Sequence, residues 1–211
     1  MSIFISPHFL DTKLDSPTIE DVIDIYEDRI KYGLLNPARA LLDIQYGQAA
    51  SFCLLLTYFE GAWSYDVAQS SKNRSKEFFK LGFVDVFKSS GVSIALIERS
   101  ALLLYEDARC GFFHDGSFRQ RILLATMNKD LVITLPKTNG VLDQSGEIQS
   151  ILIDPNRCLT ATEKHFQTKI LSLRDKQNQI QRYAFFNYFK SQCDWESPGP
   201  IVGIQNPNIF Y

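Results

Sequence analysis

Arg109 and His114 stand five positions apart in the segment Ala108-Arg109-Cys110-Gly111-Phe112-Phe113-His114-Asp115-Gly116. A guanidinium is a permanent cation that grips phosphate through two parallel hydrogen bonds. An imidazole exchanges protons in both directions near neutral pH. Together the two groups suffice to break a phosphodiester that carries its own nucleophile, as RNA does in its 2′-hydroxyl. On an ideal helix, five residues separate two side chains by about 140° around the axis. The pair therefore shares a face only where the helix ends or distorts, which Gly111 makes easier.

Arg119 and Arg121 follow closely and are placed to touch flanking phosphates. Glu60, near the end of an apolar stretch, is a candidate to orient Arg109 or His114. Acidic neighbours such as Glu106 and Asp107 offer the arginine a structural partner instead. His8 lies in an N-terminal extension and His165 beside Glu163 and Lys164, so both are expected to be solvated. Three scattered histidines without clustered carboxylates argue against a dedicated metal site. The chain has no glycine-rich phosphate loop and no Gly-x-Ser-x-Gly elbow.

These residues need elements to hold them. From Ser16-Pro17, a candidate cap and first turn, Ile19, Val22, Ile23, Tyr26 and Ile30 recur at helical steps, with Gly33 as the expected stop. Asn36-Pro37 opens a second helix running to about Trp63. Its candidate core is Ala40, Leu41, Ile44, Ala49, Phe52, Leu55, Leu56 and Phe59, and Gly47 and Gly61 weaken it locally. Residues 64–76 form a connection and Glu77 to Phe87 a shorter helix. After Ser89-Ser90-Gly91, with Ser90 or Ser93 as cap, Ile94, Ile97, Ala101, Leu102, Leu104, Tyr105 and Ala108 make a helix apolar over much of its circumference. Such a helix belongs at the centre of a bundle or at a subunit interface. It carries the Arg109–His114 pair near its end, and Gly116 terminates it.

Beyond Met127 the pattern turns to strands. Leu131 to Leu135 and Ile148 to Ile153 flank the turn Thr138-Asn139-Gly140, which predicts a small β-hairpin. Asp154-Pro155 restarts helix, with Leu159, Phe166, Ile170 and Leu173 on one face. Residues 178–193 form a last helix marked by Ile180, Tyr183, Phe186 and Phe189, and the sequence after Trp195 reads as an extended tail.

The chain has 211 residues, 45% of them hydrophobic, and a net charge of −2 with a pI of about 5.9. That balance excludes a broad basic surface, so any nucleic-acid contact is local or shared between subunits. Cys53, Cys110, Cys158 and Cys193 form no Cys-x-x-Cys pair; Cys53 and Cys110 resemble buried free thiols, which suits a reducing cytoplasm. Neither a secretory signal nor an apolar window long enough to span a membrane is expected.

Arg109-x4-His114 near the end of such a helix resembles the R-x(4–6)-H motif of HEPN domains (higher eukaryotes and prokaryotes nucleotide-binding). The string Arg-Cys-Gly-Phe-Phe-His-Asp-Gly is similar to a phrasing of bacterial members that carry a hairpin before their last helices. The resemblance covers roughly residues 18–192. It implies a mainly α fold: an N-terminal extension at 1–15, a helical domain at 16–194 with a hairpin at about 130–153, and a tail at 195–211. It also implies a homodimer through the helix at about 93–115 in which the motifs of two subunits face each other, with no cofactor. Arg109 would stabilise the scissile phosphate of RNA and His114 would move protons, without metal. Arg119 and Arg121 would contact RNA, and the setting would be a bacterial toxin or defence system with an antitoxin or regulatory partner. Active members often carry a polar residue where this chain has Cys110. The alternative is a catalytically silent domain of the same kind that binds a nucleotide or a protein.

Overall fold

The computed structural model describes residues 4–193, and the expected tail at 195–211 lies outside them. Among these residues the fold is mainly α with a small β insertion.

The first helix, α1 (Ile19–Ile30), starts at Thr18 rather than Ser16. Thr18 and Asp21 form a capping box: the Thr18 N–H donates to Asp21 Oδ2 at 3.0 Å, and the Asp21 N–H donates to Thr18 Oγ1 at 3.2 Å. Ser16-Pro17 has no matching partner three residues on. Gly33 does not stop the helix. Backbone pairing widens into a π-helical turn over Lys31–Leu35 and continues as α2 (Asn36–Leu42). Pro37 explains this. In a regular helix its ring would collide with the carbonyl four residues earlier, that of Gly33, and a wider turn relieves the collision.

The stretch expected as one helix from Asn36 to Trp63 is broken at residues 43–47. Tyr46 there takes a positive φ of 66°, and a Cβ on Gly47 would lie 1.9 Å from the Leu41 carbonyl oxygen. Ala40 and Ile44, expected in the core, consequently face solvent, while Ala38 is buried. Helix α3 (Gln48–Val67) extends past Trp63 into the expected connection and is the central element, packing on α2 and on the helices at Ser75–Phe87, Pro155–Arg174 and Gln179–Cys193. Phe52, Leu55, Leu56, Tyr58, Phe59 and Ala62 are all buried along it. Helix α4 (Ser75–Phe87) lies close against α3 at Gly82 and adds Phe79, Phe83 and Phe87 to an aromatic cluster around Phe59.

The motif helix begins as α5 (Ile94–Leu103) after Ser93, passes through a π-helical segment at Leu104–Cys110, and ends as α6 (Gly111–Asp115). One side of it packs into the core. Ile97, Ala101, Leu104 and Ala108 are buried, while Ile94 and Phe113 are exposed. Gly116, at φ 71°, terminates it as expected.

Strand β2 (Leu131–Thr134) pairs antiparallel with β5 (Ser150–Ile153), as the sequence predicts. A further short strand, β1 (Ile122–Leu124), runs parallel to β5 on its other edge, so the insertion is a three-stranded sheet. Between β2 and β5, strands β3 (Lys137–Thr138) and β4 (Val141–Leu142) form a tight hairpin whose Asn139 and Gly140 both have positive φ.

Helix α7 (Pro155–Arg174) is capped by Asp154, whose carboxylate accepts from the N–H groups of Asn156, Arg157 and Met127. It buries Leu159, Phe166, Ile170 and Leu173 as expected. In α8 (Gln179–Cys193) the buried face holds Phe185, Tyr188 and Phe189, while Ile180 and Tyr183 point outward. Within the expected N-terminal extension, residues 4–15 dock on α1. His8 donates its N–H to Asp28 Oδ2 at 2.9 Å and its ring Nδ1 meets Asp28 Oδ1 at 2.7 Å, so His8 is paired as well as exposed. The four cysteines are free; Cys53 and Cys158 are buried, and Cys110 is half-buried.

Candidate functional site

Arg109 belongs to the π-helical segment and His114 to the α-helical turn that follows, so the helix changes pitch between them. Arg109 Nη2 meets Glu60 Oε2 at 3.1 Å, and its guanidinium lies 4.9 Å over the Tyr105 ring. Glu60 is itself held, since Ser71 Oγ donates to its Oε1 at 2.7 Å. Arg109 is thus braced by α3 from one side and by its own helix from the other, yet 30% of its side chain stays accessible. The orienting role weighed for Glu60 falls on Arg109.

His114 is exposed in the last turn of α6, and no protein group pairs with its ring among the described residues. Phe113 beside it is 64% exposed. Tyr105 also borders a shallow concavity of about 700 Å³ whose walls carry Arg74, Lys76 and Lys80. Arg74 is paired with Glu77 at 2.8 Å and Lys76 with Glu106.

Arg119 and Arg121 converge on Asp107, which is buried beneath the helix end. Arg121 Nε donates to its Oδ2 at 2.8 Å, and Arg119 Nη1 lies 3.9 Å from its Oδ1. Arg119 also pairs with Asp115 at 3.3 Å, and Arg121 with Glu147 at 3.5 Å. Both side chains fasten the segment after Gly116 to the motif helix. Arg119, half of whose side chain remains exposed, keeps the larger free surface.

The structure brings together a second group that sequence reasoning missed. His165 is largely buried, not solvated. Its Nε2 lies 2.7 Å from Asp85 Oδ2, and its Nδ1 lies 2.8 Å from the Tyr58 hydroxyl. One turn further along α7, Lys169 pairs with Asp66 and donates to the Ala62 carbonyl at 2.7 Å. Ligand atoms of Asp66, Asp85 and His165 all fall within 4.8 Å of one another. The carboxylates expected to be unclustered are therefore gathered around a histidine.

Electrostatics in this cluster follow from burial and pairing. The His165 hydrogen bond, helped by Lys88, holds the Asp85 carboxyl well below the usual carboxylate range. Burial raises the Asp66 carboxyl and lowers the Lys169 ammonium, each opposed by the attraction of the other. Burial also lifts the Tyr58 hydroxyl far above its ordinary value. The group opens onto a cavity of about 930 Å³ lined by Trp63, Arg157 and Lys164 among others.

Asp66, Asp85 and His165 come from three helices, so no local spacing announces them. The one local signal is His165 with Lys169, four residues apart and therefore on one face of α7 beside the buried Phe166 and Ile170. No helix among the described residues is long and apolar enough to cross a membrane. No protein-family model matches this chain, and neither a curated protein nor a solved structure does.

Proposed function

We propose that the chain is a metal-independent endoribonuclease in which Arg109 and His114 act in symmetric pairs across a homodimer. The observation that carries this reading is the contrast within one helix: a braced, partly open guanidinium and, past a change of helical pitch, an exposed imidazole with no protein partner among the described residues. π-Helical segments of this kind occur frequently at functional sites. The exposed Ile94 and Phe113 on the same helix supply apolar surface for a twofold contact.

His114 of one subunit takes the proton of the 2′-hydroxyl as its oxygen attacks the adjacent phosphorus. The arginines balance the negative charge that builds on the phosphoryl oxygens, and the second His114 gives a proton to the departing 5′-oxygen. The products are a 2′,3′-cyclic phosphate and a 5′-hydroxyl. Arg119 adds a flanking phosphate contact, and Arg121 contributes chiefly through its hold on Asp107. The resemblance to HEPN domains supports a cytoplasmic bacterial toxin or defence setting with an antitoxin or regulatory protein as partner.

The Glu60–Arg109 ion pair favours a second reading, a silent domain that binds a nucleotide or a protein partner, because Glu60 already neutralises the cation. Cleavage of single-stranded RNA in EDTA separates the two. The nuclease cleaves, and His114→Ala, on an exposed side chain, keeps the fold while losing at least about 100-fold in rate. Undiminished cleavage by His114→Ala overturns the proposal. Absence of turnover together with nucleotide-dependent thermal stabilisation supports the silent domain.

A further inference from the structure

We propose that Asp66, Asp85 and His165 form a binding site for a single first-row divalent cation, with Zn²⁺ the best match, opening onto the cavity between α3, α4 and α7. Two carboxylate oxygens and one imidazole nitrogen are a donor set of borderline softness, suited to zinc and its neighbours. Three protein ligands facing a cavity of about 930 Å³ leave a fourth position for water or a small ligand.

The geometry needs little adjustment. Tetrahedral donors at about 2.0–2.2 Å from zinc lie roughly 3.3–3.6 Å apart. The three donor atoms already lie within 4.8 Å of one another, and the closest contact, His165 Nε2 to Asp85 Oδ2, is 2.7 Å. Movements of about 1 Å open a place for the ion.

The surrounding groups fit as well. Metal-bound histidines usually anchor their second nitrogen on a hydrogen-bonding group. Here the Tyr58 hydroxyl, 2.8 Å from Nδ1 and itself 2% exposed, is in place to accept it. Lys169 engages Oδ2 of Asp66 and leaves Oδ1 available among the described residues. Its ammonium is the resident cation: it balances the half-buried carboxylate of Asp66, and it has the Ala62 carbonyl to keep when a metal takes over. Lys88, the other partner of Asp85, is exposed and free to swing into solvent.

This site is separate from the proposed nuclease centre. Glu60, which braces Arg109, and Asp66 are six residues apart on α3 and point about 120° apart around its axis. The metal is not required for RNA cleavage.

Titration of the full-length, metal-free protein with Co²⁺, which reports coordination through its visible absorption, tests the proposal. One equivalent is expected to give a saturating band and to raise the thermal midpoint, and equimolar Zn²⁺ to displace it. Asp66→Asn and His165→Gln, both close in shape, are expected to weaken binding at least tenfold. Should those variants unfold, Lys169→Met decides: with the competing ammonium gone, Co²⁺ binds at least tenfold more tightly and restores the stability that the substitution removes. Unchanged affinity in folded Asp66→Asn or His165→Gln overturns the site, as does absence of binding to both the native protein and Lys169→Met. His114→Ala leaves Co²⁺ binding unaltered, so failure here and failure of the nuclease reading are told apart.

Discussion

Asp107 lies beneath the motif helix with 3% of its surface exposed, and Arg121 is its nearest cation at 2.8 Å. Removing one partner of a buried pair leaves the other desolvated and uncompensated. Arg121 is about one-third exposed, and Arg119 stays within 3.9 Å, so the loss is moderated by solvent and by the second arginine. Arg121→Ala is expected to destabilise the protein by about 1–2 kcal/mol in urea denaturation, with Arg119→Ala costing less. Equal and negligible effects would contradict the anchoring role. At this scale the sequence displayed the cations but few of their partners. Arg109, His114, Arg119 and Arg121 were legible as chemistry, and Glu60 was legible as a candidate brace. That Asp107 lies beneath Arg119 and Arg121, and that His165 turns inward to Asp85, depends on packing between distant segments that no local spacing encodes.

Helices α3 and α4 show how a single missing side chain sets an interhelical distance. A Cβ on Gly82 would lie 1.9 Å from the Phe59 carbonyl oxygen, so the two backbones approach as closely as glycine allows. Gly82→Ala must push α4 outward and disturb the edge-to-face and tilted contacts of the Phe59 ring with Phe79, Phe83 and Phe87. The expected loss is about 3 kcal/mol, read from the urea midpoint at constant slope, and an unchanged midpoint would contradict this packing. Apolar spacing located most helices, the β2–β5 pairing and the Asp154 cap, because each is written within one segment. It failed where two signals combined. Gly33 alone says stop, but Gly33 with Pro37 makes a π-helical turn. It failed again at β1, whose three residues gain their strand identity only from lying parallel to β5. Ile180 and Tyr183 misled the phase of α8, since exposed apolar residues carry the same letters as buried ones.

Over the whole molecule a net charge of −2 leaves no general attraction for nucleic acid, so the proposed RNA recognition must be concentrated where a few cations are held open. The end of the motif helix meets that condition, with Arg109 braced from behind and His114 in solvent next to exposed Phe113. Different faces of α3 support this region and the Asp66–Asp85–His165 cluster, and the two can be altered independently. In the proposed mechanism the substrate supplies its own nucleophile, and the protein supplies only cations and protons. The decisive experiment offers the protein two end-labelled strands of one sequence in EDTA, one of RNA and one with every 2′-hydroxyl replaced by hydrogen. The RNA is expected to be cut to fragments ending in 2′,3′-cyclic phosphate while the deoxy strand stays whole. Cutting of the deoxy strand at a comparable rate, or RNA cleavage that appears only when divalent metal is restored, would contradict it.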